Sequence, residues 1–100
     1  MAAYVIFAVD KEFDAEKLKE YRATGRDSLT GRNARILSLP SCKLEVLEGT
    51  PLETLVVIEF PSFDDARDWY YSDEYQSHSE LRKESTHGRA FLVDGVDIPL

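Results

Sequence analysis

Leu55-Val56-Val57-Ile58-Glu59-Phe60 is apolar at both parities except at Glu59, and Pro61-Ser62 closes it. A short apolar run bounded by turn signals reads as a strand covered on both faces. Tyr4-Val5-Ile6-Phe7-Ala8-Val9 has the same character and stops at the charged cluster Asp10-Lys11-Glu12. These two runs are the natural centre of a sheet, and the rest of the chain is read around them.

Between them, Ala15, Leu18, Tyr21, Arg22, Gly25 and Leu29 recur at spacings of three and four among charged residues. The pattern predicts an amphipathic helix opening at Asp14, a good N-cap, and ending around Gly31. Ala34 to Leu39 predicts a strand halted by Pro40. Lys43 to Glu48 alternates with period two and stops at Gly49-Thr50-Pro51, which predicts a half-exposed strand. After the central run, Ser62 caps a helix with Asp64 and Asp65 in its first turn and Phe63, Ala66, Trp69 and Tyr70 facing inward. Ser72-Asp73-Glu74 marks a break and a second cap. A further helical segment follows, with Tyr75, His78, Leu81 and Ser85 on one face. Ser85 to Gly88 reads as a loop, and Ala90 to Val93 as the last strand.

The order β-α-β-(β)-β-α-β over residues 1–100 predicts one ferredoxin-like α+β domain, an antiparallel sheet with its helices on one face. In that topology the first and third core strands are central, which agrees with the two doubly apolar runs. The helices cover only one face. The other would expose Val57 and, depending on register, Tyr4 or Val5, and a large apolar patch is seldom left in water. A homodimer packing sheet against sheet is the expected remedy.

Composition narrows the context. Nineteen acidic against 12 basic residues give a net charge of −7, which disfavours phosphate backbones and anionic membranes. Apolar residues at 43% and aromatics at 11% suffice for a packed core and argue against disorder. A single cysteine, Cys42, excludes an intrachain disulfide and fits a reducing compartment. The N-terminus lacks the pattern of a signal peptide, and no apolar stretch approaches membrane-spanning length, so a cytoplasmic protein is expected. RNA-binding domains of the RRM type share the predicted topology. Here Thr54, Leu55 and Val57 occupy the positions where basic and base-stacking aromatic residues would stand, and no basic residue lies between Lys43 and Arg67. No phosphate loop, nucleophile elbow or paired-histidine metal motif occurs, so no cofactor, metal or nucleic-acid partner is expected.

Val57-Ile58-Glu59-Phe60-Pro61-Ser62-Phe63, followed by Ala66-Arg67, Trp69-Tyr70, Ser72 and Glu74-Tyr75-Gln76, resembles domain-of-unknown-function family 1330 of the dimeric α+β barrel superfamily. Tyr4, Asp10, Tyr21, Arg35, Val46-Leu47-Glu48-Gly49 and Gly95 extend the resemblance along the chain. It implies a ferredoxin-like homodimer whose two sheets form a shared barrel, with no established reaction. The chain departs from the family pattern at Asn33-Ala34, where a Gly-Gly pair is usual, and at Leu39-Pro40-Ser41, where Arg-Gly-Gly is usual.

Glu59 is a carboxylate within a buried strand. It reads as a general base or ligand anchor, or as half of a structural ion pair with Arg35 on a neighbouring strand. His78, on the last helical segment, has the side chain suited to proton transfer near neutral pH, or is an ordinary helix-surface or core histidine. Trp69 and its neighbours Tyr70, Tyr71 and Tyr75 would wall a hydrophobic cavity or simply fill the core. Arg22, Arg26, Arg32 and Arg35 gather around the end of the first helix, where they suit an anionic ligand or the helix dipole. Trp69-x-x-Ser72-x-x-Tyr75 is also similar to the haem-degrading monooxygenases of the superfamily. In those the axial histidine follows the aromatic by four residues, a position held here by Ser79, with His78 about 100° around the helix. The reading that follows is a cofactor-free dimer binding or transforming a small organic molecule between sheet and helices, with Arg35, Glu59, His78 and Trp69 as its ligand-binding candidates. Glu59 and His78 are its catalytic candidates. The alternatives are a non-catalytic dimerisation module and a haem-binding or monooxygenase-like relative.

Overall fold

In the computed structural model, which describes residues 1–100, the chain runs β1 (Ala3–Glu12), α1 (Ala15–Asp27), β2 (Arg35–Ser38), β3 (Thr54–Phe60), α2 (Phe63–Tyr70), α3 (Asp73–Ser85) and β4 (Thr86–Asp94). The strands form one antiparallel sheet in the order β2-β3-β1-β4, a ferredoxin-like arrangement. The two doubly apolar runs are its centre. Each helix opens on the residue whose side chain suits that position. Asp14 accepts from the Lys17 amide at 3.1 Å, Ser62 from Asp65 at 3.1 Å and Ser72 from Tyr75 at 3.2 Å.

The register decides which residues face which way, because side chains alternate across a strand. Val5 lies opposite Ile58 on one side and Leu92 on the other, and Ile58 lies opposite Ile36. This parity faces the helices. Ala3, Val5, Phe7, Ile58 and Phe60 are buried there with Ala66, Trp69 and Tyr75 from α2 and α3. The other parity faces away from the helices. There Tyr4 lies opposite Glu59 and Val93, and Ile6 opposite Val57 and Phe91. Of the two candidates for the uncovered face, the register selects Tyr4 and buries Val5. Phe91 and Val93 are 44% and 45% exposed, so this face carries apolar surface in water.

Three local expectations are corrected. Residues 43–48 form no strand. Their alternation would suit one-sided burial, but a strand also needs a partner for its backbone, and this stretch joins no ladder; Leu47 is 85% exposed. Next, α1 ends at Asp27 rather than near Gly31, because Ser28 folds back as the C-cap and its hydroxyl donates to the Gly25 carbonyl. Single turns follow, with the Leu29 amide bonded to Arg26 and the Thr30 amide to Asp27, before Gly31 and Asn33 adopt positive φ. Finally, no loop separates α3 from β4. The Ser85 and Thr86 hydroxyls donate to the Leu81 and Arg82 carbonyls, the Phe13 amide donates to the Ser85 carbonyl, and His87 is already on β4 opposite Lys11.

Gly88 shows why β4 needs a glycine early in its course. A Cβ there would stand 2.3 Å from the Ala8 carbonyl oxygen, a distance no side chain tolerates.

Candidate functional site

Of the stripe foreseen for α1, Leu18, Tyr21, Gly25 and Leu29 face inward while Ala15 and Arg22 are exposed, and the stripe does not close fully onto the sheet. Leu18, Tyr21, Gly25 and Leu29 roof a cavity of about 140 Å³ whose floor is Phe7 and Val9 of β1, Val56 and Ile58 of β3 and Ile36 of β2. Trp69, Tyr75 and Arg82 close its inner side. Gly25 contributes by what it lacks, since its missing side chain leaves space beneath the helix. Arg22 and Arg26, one turn apart and exposed, mark the opening together with Leu39.

Polar atoms enter this apolar space chiefly from one connected group. The Tyr21 and Tyr75 hydroxyls are 2.9 Å apart, and the Arg82 Nε donates to the Tyr75 oxygen at 3.3 Å. Tyr75 and Arg82 are seven residues apart on α3, two helical turns, and so project from the same face. The guanidinium also lies over the Phe7 ring, 4.8 Å from its centroid. Burial pushes the Tyr75 phenol above its ordinary pKa, opposed by the Arg82 charge. Burial raises Tyr21 further, reinforced by its neighbour Tyr75. Both phenols are therefore neutral across the physiological range. Two phenolic protons share a single O···O bond, so one O–H remains available to an incoming acceptor whichever way that bond is oriented.

The core behind the cavity is aromatic. The Trp69 ring centroid is 4.3 Å from that of Tyr75 and 5.3 Å from that of Phe60, and the indole N–H donates to the Ser28 hydroxyl at 2.9 Å. Trp69 thus fills the core and lines the cavity at once. Tyr71 is exposed.

The other candidates from the sequence lie elsewhere. Glu59 and Arg35 are cross-strand neighbours, as their placement on adjacent strands suggested, but the register puts them on the uncovered face with Tyr4. The cavity lies on the opposite face. A one-residue change of parity separates Glu59 from Ile58, which does line it. No ion pair joins Glu59 to Arg35; those present are Lys17–Glu84, Arg22–Glu12 and Lys83–Glu80. His78 is half-buried on the flank of α3 and does not line the cavity, because the buried face of that helix carries Tyr75, Ser79 and Ser85 instead. No cluster of three or more His, Cys, Asp or Glu side chains is arranged to hold a metal. No helix is long and apolar enough to cross a membrane.

Three residues of the site, Tyr21, Arg82 and Ser28, are absent from the sequence candidates, although Tyr21 stands on the inward stripe of α1. Arg82 was findable, since seven-residue spacing from Tyr75 places it on that residue's face. Ser28 was not, because its role depends on Trp69, 41 residues away.

Similar architectures occur among solved structures. A protein of unknown function from Rhodopseudomonas palustris superposes with a TM-score of 0.73 at 10% identity, covering 97% of this chain and 84% of that one. A dimeric protein of unknown function and ferredoxin-like fold from Bacteroides fragilis gives 0.53 at 10% identity, covering 94% and 95%. SnoaB, a cofactor-independent oxygenase from Streptomyces nogalater, gives 0.59 at 11% identity, covering 97% and 93%. No curated protein matches the sequence. At these identities the likeness is one of fold. The family model for Domain of unknown function (DUF1330) matches residues 2–96, and the chain belongs to that family.

Proposed function

We propose that this protein is a cytoplasmic homodimer that binds a small organic molecule in the sheet–helix cavity, without a tightly bound cofactor. The observation that carries the reading is the cavity itself, an apolar space whose polar centre is the Tyr21–Tyr75–Arg82 chain. Ligand sites commonly combine apolar walls with a few convergent polar groups. Apolar cavities of about 150 Å³ accept a benzene-sized guest, which sets the scale of the ligand. Trp69 would form part of its wall, and the available phenolic O–H would meet an oxygen of the guest. The uncovered sheet face supports the dimer, with Glu59 and Arg35 then lying where the second copy packs. That the Bacteroides fragilis protein of similar fold is dimeric also supports a dimer.

Thermal unfolding with toluene and with benzyl alcohol tests the binding reading. Both are expected to raise the melting temperature of the protein, and Ile36→Phe, which fills the cavity from β2, to remove the shift. The reading fails if neither guest raises it.

A further inference from the structure

The charge around the cavity is opposite in sign to that of the chain. Nineteen acidic residues outnumber 12 basic ones, yet Arg22, Arg26 and Arg82 line the cavity and no Asp or Glu does. Arg22 is neutralised by Glu12 at 2.6 Å. Neither Arg26 nor Arg82 has a carboxylate within 4.0 Å.

Arg82 is the informative one. It is half-buried, faces apolar walls, and is held in place from two sides by the Tyr75 hydroxyl and the Phe7 ring. Its one hydrogen bond uses Nε, so both terminal nitrogens of the guanidinium are uncommitted to protein. An unpaired charge beside an apolar space is costly unless something compensates it. A guanidinium edge with free donors matches a carboxylate, which it can engage through two parallel hydrogen bonds. The neighbouring phenol pair supplies one further O–H to the same oxygen atoms.

We infer that the cavity takes a small organic monocarboxylate, its apolar body against the Phe7, Ile58 and Trp69 surface and its charge met by Arg82, with Arg26 at the opening. This rests on the small-molecule reading above and names the class of molecule.

Isothermal titration of the intact protein with benzoate and with its neutral isostere benzamide provides the test. Benzoate is expected to bind at least about tenfold more tightly, the scale of one charge-assisted contact. Arg82→Gln should abolish the preference, and Arg82→Lys should retain part of it. Equal affinities for benzoate and benzamide in the unaltered protein would overturn the inference, whether or not the variants fold. Equal affinities together with a toluene shift would leave the cavity reading standing. Binding of neither, with no toluene shift, would remove both. Inorganic phosphate is the remaining control, and if it binds as tightly as benzoate, the apolar body plays no part and the carboxylate assignment fails.

Discussion

Ser28 ends α1, accepts the only indole N–H of the protein and returns its own proton to the Gly25 carbonyl. Ser28→Ala keeps the backbone but leaves the Trp69 Nε1–H buried without an acceptor. The expected loss is about 1–3 kcal/mol in urea unfolding, the cost of an unsatisfied buried donor. The phenol pair makes a second prediction. Tyr21 and Tyr75 ionise near their ordinary value of 10.0 in the unfolded chain, and above it when folded. Their contribution is therefore complete below that pH and declines above it, as the unfolded state alone releases protons. Urea midpoints should fall between about pH 9 and pH 11, and less steeply in Tyr21→Phe. Single residues were legible where identity alone fixes the role. Asp14, Ser62 and Ser72 cap helices because short side chains with an acceptor do so wherever a helix starts. Glu59 was misplaced in depth because parity within a doubly apolar run cannot be read until a register is known.

Gly25 puts the tension between stability and space into α1. In a helix interior, glycine costs roughly 1 kcal/mol relative to alanine. The methyl of Gly25→Ala would meet the Tyr21 ring at 3.7 Å, ordinary van der Waals contact. The variant is expected to gain up to about 1 kcal/mol in thermal or urea unfolding while weakening guest binding, since the methyl enters the cavity. A gain in stability with unchanged binding would show that the space beneath Gly25 is not used. Elements were legible where periodicity met a strong boundary signal, as at Pro61-Ser62. They were not where pairing decides the outcome. Lys43 to Glu48 alternates as well as many strands do, but no property of those six residues reports whether another backbone runs alongside.

The whole molecule has one face finished and one unfinished. Helices cover the Val5–Ile58 side, whereas Ile6, Val57, Phe91 and Val93 face outward. Sedimentation at micromolar protein should give twice the chain mass of 11.4 kDa, and Val57→Asp, which places a charge at the centre of that face, should return it to 11.4 kDa. A mass unchanged by Val57→Asp would place the contact elsewhere. This architecture was legible because two runs apolar at both parities demand cover on both sides, and three helices on one face supply only half of it. A space between sheet and helices was expected, but its lining and polar centre were not legible, because a void is what remains after side chains from all seven elements have packed.

Trp69 gives that void a voice. It is the only tryptophan, it is buried against Tyr75, and it borders the space a guest would enter. Light absorbed by the surrounding tyrosines passes to a single indole, so the protein's own fluorescence comes from the wall of its candidate site. Occupancy, unfolding and loss of the Ser28 acceptor each alter that indole's surroundings in a different way. The molecule carries its own optical reporter, unlabelled, beside its candidate site.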